Sequence, residues 1–304
     1  VAGVPPGGSK ENNVLKLDFT GRNAVVTGVA DDVGFGWHIA KALHAAGAKV
    51  YLASHPRVAG IVDKLLRRPA SAPGRVLPHG VTGEFAPAGI IRCDLEYDTV
   101  ADIPAERRSV RGYDGDVSIA GLVQALRERE KVEHVDMVIH CVAFTTEVQR
   151  THLETSRSAY LQASSVSAYS LVALTRALLP LMEGRRGSVV GMSYLAAERA
   201  MPFYGGGMAS AKAALESDAR QLAFLVGDQG HRVNIVSAGP YASRAGRSFG
   251  SIDMLIDHVA VKSPLRRSIR PQEVADAVLF LCSPLASAIT GEVLHVDCGY
   301  HAMA

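Results

Sequence analysis

The sequence predicts an α/β fold: a Rossmann-type doubly wound sheet of about seven parallel strands with helices on both faces. Short runs rich in Val and Ile alternate along the 304 residues with longer stretches whose apolar residues recur at helical spacing. Several of the runs are continuously apolar, as strands covered by helices on both faces are. A glycine-spaced turn after the first run adds a third mark.

Taken in order, "NAVVTG" (23 to 28) is the first strand, and "WHIAKALHAAG" (37 to 47) is the returning helix, stopped by its glycine. "KVYLAS" (49 to 54) and "GIIRCD" (89 to 94) are strands two and three, short and rich in β-formers. "SIAGLVQALRERE" (118 to 130) opens on a serine suited to cap a helix and gathers its apolar residues on one face. "VDMVIHCVA" (135 to 143) is the fourth strand, followed by one long helix in "SAYLQASSVSAYSLVALTRALLPLM" (158 to 182). "GSVVGMS" (187 to 193) is the fifth strand, and "GMASAKAALESDARQLAFLV" (207 to 226) a helix of strong helix formers. "RVNIVSAG" (232 to 239) and "EVLHVDCG" (292 to 299) complete seven strands, with the helix "PQEVADAVLFLCS" (271 to 283), its proline in the first turn, between them. Residues 55 to 88 and 95 to 116, rich in Pro, Gly and charge, interrupt the rhythm and are predicted to be long functional connections.

Composition narrows the function. With 48% hydrophobic residues the chain buries a sizeable core, and 32 Lys and Arg against 30 Asp and Glu leave +2 with no basic block. That balance argues for a small-molecule partner and against nucleic acid or a membrane surface. No apolar stretch is expected to span a bilayer. The four cysteines, Cys93, Cys141, Cys282 and Cys298, lack metal or redox spacing and are expected to be reduced, with no metal site. The Pro/Gly-rich start, residues 1 to 14, is predicted to be a flexible arm, and its first residue, Val1, suggests processing or trimming. Residues 15 to 304 are predicted to form one domain.

Gly28, Gly34 and Gly36 place G-x5-G-x-G between the first strand and its helix, where bare amides and a helix N-terminus receive a pyrophosphate. The second strand ends in "LASHPR", without the carboxylate that grips an adenosine ribose. Asp94, ending the third strand, either accepts from the adenine amine or is an ordinary strand-end carboxylate.

The stretch "YGGGMASAKAALES" (204 to 217) resembles the catalytic helix of short-chain dehydrogenases, yet the residue four before Lys212 is Met208 rather than that family's tyrosine. Two tyrosines precede Lys212, Tyr194 and Tyr204. Eight helical residues rise roughly 12 Å, so Tyr204 reaches Lys212 only from a chain that folds back, which Gly205, Gly206 and Gly207 permit.

The stretch "SYLAAERAMPFYGGGMASAKAALESDAR" (193 to 220) closely resembles the NADH-dependent enoyl-acyl-carrier-protein reductases of type II fatty acid synthesis, particularly the plant and apicomplexan plastid form, within the short-chain dehydrogenase/reductase superfamily. "HLETSRSAYLQASSVSAYS" (152 to 170), "RVNIVSAGPYASRA" (232 to 245) and "CSPLASAITGEVLHVDCGYHAMA" (282 to 304) extend the resemblance to roughly residues 15 to 304.

That resemblance implies reduction of the 2,3 double bond of trans-2-enoyl-acyl-carrier-protein, with Tyr204, Lys212 and Tyr194 catalytic. It implies cofactor contacts from Gly28, Asp32, Gly34, Phe35, Gly36, Trp37, His55, Asp94, Leu95, Cys141, Val142, Ala143, Met192, Lys212, Ala238, Gly239, Pro240 and Ser243. NADH is the expected cofactor, with NADPH allowed because Arg57 can reach a 2′-phosphate. Acyl carrier protein as partner, a homotetramer, residence in a plastid or apicoplast stroma, a substrate lid over residues 241 to 260 hinged at Gly246 and Gly250, and inhibition by diphenyl ethers such as triclosan follow from the same resemblance. The displaced tyrosine has a chemical reason. In enoyl thioester reduction charge appears on the thioester oxygen, about 2.5 Å further along than the hydride-accepting carbon, so its donor shifts too.

The chain departs from the plant pattern in three places. "HCVAFTTE" (140 to 147) stands for "HSLANGPE", "ASHPR" (53 to 57) for "GTWPP", and "DCG" (297 to 299) for "DNG". His55 thus takes the place of an adenine-packing tryptophan. A carbonyl reductase and a catalytically silent dinucleotide-binding protein are the alternatives.

Overall fold

The structure, a computed structural model, describes residues 17 to 303. The arm at residues 1 to 14 lies outside them.

All seven predicted strands form, as β1 (Asn23–Thr27), β2 (Lys49–Ser54), β3 (Gly89–Arg92), β4 (Met137–His140), β5 (Ser188–Ser193), β6 (Arg232–Ala238) and β7 (Val293–Val296). They make one sheet, ordered β3-β2-β1-β4-β5-β6-β7, and every pair is parallel. Parallel neighbours require crossovers, and helices supply them: α1 (Phe35–Ala45), α2 (Ala59–Leu66), α3 (Ala105–Arg108), α4 (Ile119–Glu128), α5 (Arg157–Ser164), α6 (Ser170–Met182), α7 (Met208–Val226), α8 (Arg244–Arg247), α9 (Ile252–Lys262) and α10 (Pro271–Cys282).

Successive strand residues enter different cores, as a two-residue period dictates. On β1, Ala24 and Val26 pack with Trp37 and Ile39 of α1 and Val274 and Val278 of α10. Val25 between them packs instead with Leu122 of α4, Leu174 of α6 and Leu215 of α7. The apolar strand runs are therefore buried twice over.

Two segments differ from the sequence reading, the second of them in two ways. Residues 55 to 88 hold α2, whose Ala59, Val62 and Leu65 are buried at helical spacing among the Pro and Arg that masked it. The long helix is interrupted by a π turn over Ser165–Tyr169, between α5 and α6. The combined run Arg157–Met182 is long and apolar enough to cross a bilayer by length and composition, which corrects the expectation that no stretch is; most of it packs against the rest of the chain.

The sheet order reverses between β1 and β4, and ligands of open α/β sheets bind beyond the strand ends at such a point. Here the two chains leave the sheet very close together. A side chain on Gly28, at φ 72°, would overlap the Cys141 carbonyl, so glycine serves both conformation and space.

Candidate active site

Beyond the carboxyl ends of the strands lies a cavity of about 670 Å³. Its walls come from the residues following β1 through β6 and from the segment before α9. The volume and placement fit a cofactor-sized ligand.

The loop after β1 forms one wall. Gly34 caps α1, and a side chain on Gly36 would press on Val29 and the Thr27 carbonyl, so that glycine lets helix and strand pack closely. Gly28, Phe35, Trp37, Cys141, Val142, Ala143, Met192, Ala238, Gly239, Pro240 and Ser243 also line the cavity. The Trp37 side chain is fully buried, its Nε1 donating to the Gly74 carbonyl at 2.6 Å, so it supports the floor.

Asp32 is displaced from the predicted set. It is absent from the cavity wall and accepts from Arg68 at 3.2 Å. Its neighbour Asp31 lines the cavity instead, accepting from the amides of Gly34 at 2.9 Å and Val33 at 3.1 Å. Two adjacent aspartates cannot be told apart by spacing; the turn decides which one faces in.

At the far end, His55, Asp94 and Leu95 all line the cavity. Tyr113 donates to the Asp94 carboxylate at 2.5 Å, and His55 Nε2 lies 3.3 Å from the same oxygen. Burial works to raise the Asp94 pKa, but the bonds from His55 and Tyr113 outweigh it and hold the carboxyl below its ordinary value. His55, which stands where the plant pattern has tryptophan, is thus tied to a carboxylate and packs edge-on against Tyr113.

The catalytic candidates meet in the middle. Tyr194 follows β5 directly, and Tyr204 returns to it, ring centroids 4.9 Å apart. The three glycines explain the return by space as much as by freedom. A side chain on Gly205 would overlap the Arg150 carbonyl, one on Gly206 would lie 2.7 Å from Thr145, and one on Gly207 would lie 3.0 Å from the Tyr160 ring. Gly206 and Gly207 also have positive φ, 64° and 78°. Met208, in the usual tyrosine position, is buried at the start of α7, with its sulfur accepting from Ser167.

Lys212 projects from α7 into the same space, and its Nζ donates to the Met192 carbonyl at 2.7 Å. Burial pulls its pKa down to about 8, partly opposed by Cys141 and Glu216. Burial pushes both tyrosines up, so each remains a proton donor at neutral pH. The Tyr194 hydroxyl is buried without a hydrogen-bond partner among the described residues, an unusual cost unless a ligand meets it.

Sequence reasoning did not find Asp31, Tyr113, Arg107 or Phe249. Phe249 stacks on Tyr204 at 4.7 Å, and Arg244 of α8 reaches Asp31 at 3.1 Å. Of the predicted hinges, Gly250 has φ 73°, but Gly246 lies inside α8 with its amide bonded to Ser243 Oγ. Its smallness makes room for the Tyr241 carbonyl. The Phe249–Tyr204 and Arg244–Asp31 contacts join residues distant in the chain.

Comparison with known proteins agrees with the geometry. The family described as enoyl-(acyl carrier protein) reductase matches residues 88–301. The chloroplastic enoyl-[acyl-carrier-protein] reductase [NADH] of Arabidopsis thaliana is 41% identical over 97% of this chain and 76% of its own length. The Plasmodium berghei enoyl-acyl-carrier-protein reductase, solved with triclosan, superposes with a TM-score of 0.87 at 34% identity, covering 93% of this chain and 98% of that one. The Bacillus cereus reductase, solved with NADP+ and an indole naphthyridinone, superposes at 0.77 with 30% identity over 95% of this chain and 100% of that one. With a seven-stranded parallel sheet, a paired-tyrosine and lysine centre and relatives matched along nearly its whole length, the chain belongs to the enoyl-acyl-carrier-protein reductase family of oxidoreductases.

Proposed function

We propose that Tyr204, Lys212 and Tyr194 carry out enoyl-acyl-carrier-protein reduction in this protein, with NADH as cofactor and the acyl chain beneath residues 241 to 260. The convergence of the two tyrosine rings and Lys212 in one cavity, with Met208 buried at the start of α7 beside them, carries this reading.

When bound, the nicotinamide supplies a hydride to C3 of the substrate. The chain's residues do the rest. Tyr204, kept protonated by burial, donates to the thioester oxygen as charge develops there. Lys212 would hold the cofactor ribose and place a positive charge beside the enolate, whose C2 then takes a proton from solvent, so that hydride and proton together saturate the double bond. Tyr194 orients the thioester through its unpartnered hydroxyl. The glycine-spaced loop and the start of α1 receive the pyrophosphate, and Asp94, with His55, bounds the adenine.

The segment from Tyr241 through α9 acts as the substrate lid. Its inner wall is apolar, with Phe249, Ile252 and Leu255 lining the cavity. Acyl carrier protein delivers the substrate. The exposed Leu161, Tyr169, Phe224 and Leu225 on α5, the π turn and α7 suit contacts between copies in a tetramer, and the chloroplastic relatives support residence in a plastid.

Turnover of crotonyl thioester with NADH, followed by loss of nicotinamide absorbance, tests the reaction. Reduction of simple ketones without reduction of the enoyl thioester would establish the carbonyl reductase alternative.

A further inference from the structure

The end of β5 is fastened to α7 at two consecutive residues. Lys212 Nζ donates to the Met192 carbonyl at 2.7 Å, and one residue further along the strand Ser193 Oγ donates to Glu216 Oε1 at 2.5 Å. Lys212 and Glu216 stand one helical turn apart on α7, where side chains share a face. Both are buried, and the residue after Ser193 is Tyr194.

A buried carboxylate is costly unless it is bonded and has an opposite charge to face. Burial raises the Glu216 pKa, the bond from Ser193 opposes it, Glu198 adds to the rise, and Arg220 and His295 act against it. Those two cations lie outward of the site. Arg220 is exposed, and His295 of β7 lies 3.1 Å from Glu198. His301, stacked on His295 with centroids 4.1 Å apart, is bonded in turn to Asp297 at 2.9 Å. Inward of Glu216, the cation on its own face of the helix is Lys212. The two do not touch as an ion pair, so their charges act across one turn of buried helix, where the dielectric is low.

Lys212 has the complementary need. Burial pulls its pKa down to about 8, and Cys141 and Glu216 are the groups that act against that. The Cys141 thiol is itself pushed up to about 11 by burial, so near pH 8 it carries no charge. His140, driven down to about 3, is neutral there too, and Tyr194 and Tyr204 keep their protons. Glu216 is the negative charge that remains.

We propose that Glu216 is a positioning residue for the reduction: its carboxylate, fixed by Ser193, is the counter-charge that keeps Lys212 an ammonium, and it ties α7 to the strand end that carries Tyr194. The inference rests on the reading of Lys212 as the working cation of the site.

The pH dependence of kcat/KM for crotonyl thioester with NADH reports groups of the free enzyme and tests the proposal. Glu216→Gln keeps the size of the side chain and can still accept from Ser193, but removes the charge. Without the carboxylate the ammonium is lost at lower pH, so the alkaline limb is expected to move down by roughly 0.5 to 1 pH unit. Glu216→Asp, which withdraws the charge by one methylene, should show the same shift in smaller measure, and it decides the matter should Glu216→Gln not fold. Ser193→Ala removes the tie and keeps the carboxylate, so it should lower the rate while leaving the limb nearer its wild-type position. A limb unmoved by loss of the carboxylate overturns the proposal, whatever the fall in rate, and makes Glu216 a structural tie alone. A shift as large in Ser193→Ala as in Glu216→Gln also overturns it, since loss of the tie would then suffice. If the wild-type limb persists in Lys212→Met, the limb does not belong to Lys212; that reading itself fails, and the proposal falls with it.

Discussion

The Tyr204 ring lies stacked on Phe249, with centroids 4.7 Å apart and planes 16° from parallel. The residue proposed to donate the key hydrogen bond is therefore covered by the segment proposed to admit substrate. Two other contacts pin that segment: Arg244 to Asp31 at 3.1 Å, and Gln149 to the Ser248 carbonyl at 3.0 Å. An aromatic pair contributes about 0.5 to 1.5 kcal/mol beyond its area. Phe249→Ala should accelerate amide hydrogen exchange over residues 241 to 260 by roughly 2-fold to 10-fold, with α10 unaffected. Unchanged exchange in the variant would make this segment a fixed packing element.

Lys212 gives the protein a pH limit. Burial brings its pKa down to about 8, so the ammonium is present below that value and lost above it. Turnover should fall as pH rises through about 8, and Lys212→Met should be weakly active without that alkaline limb. A wild-type profile flat to pH values well above this would remove the ammonium from the reaction.

Acid should weaken the fold through buried His140. Ser170 Oγ donates to the Val166 carbonyl and so accepts from His140 Nε2, leaving Nδ1 unprotonated and without a partner among the described residues. Burial drives the pKa down to about 3, with Lys212 adding to it, from an ordinary value of 6.5. Between those values the unfolded chain binds the extra proton and the folded chain does not, so stability declines as pH falls through that window. The slope from this one group is up to about 1.4 kcal/mol per pH unit. Urea midpoints from pH 7 to 5 should fall less steeply in His140→Gln; identical slopes would contradict the assignment.

Cys298 carries a backbone penalty. Its φ is 60°, a left-handed conformation that asparagine tolerates better than cysteine, and asparagine is the residue of the plant pattern there. Cys298→Asn should raise stability by about 1 kcal/mol in denaturant unfolding. A destabilised variant would show that the thiol's packing outweighs the strain.

The sheet was legible because burial on both faces writes itself into consecutive residues: "NAVVTG" and "GSVVGMS" admit little else. The glycine loop and the displaced Tyr204 were legible for a similar reason, since local backbone demands leave local residues. What escaped is what the fold assembles. Asp31 and Arg244 are separated by 213 residues, and Tyr113 reaches Asp94 from a loop whose composition records only irregularity. Helix α2 escaped because its three buried positions are flanked by Pro and Arg that dominate any window average.

The role of Tyr204 is tested most directly by Tyr204→Phe, assayed with NADH and crotonyl thioester alongside an independent titration of NADH binding. The phenyl ring keeps its place between Tyr194 and Phe249, so only the hydroxyl is removed. The account predicts a fall in kcat of roughly 10-fold or more with cofactor affinity nearly unchanged. Wild-type turnover in the variant would contradict it.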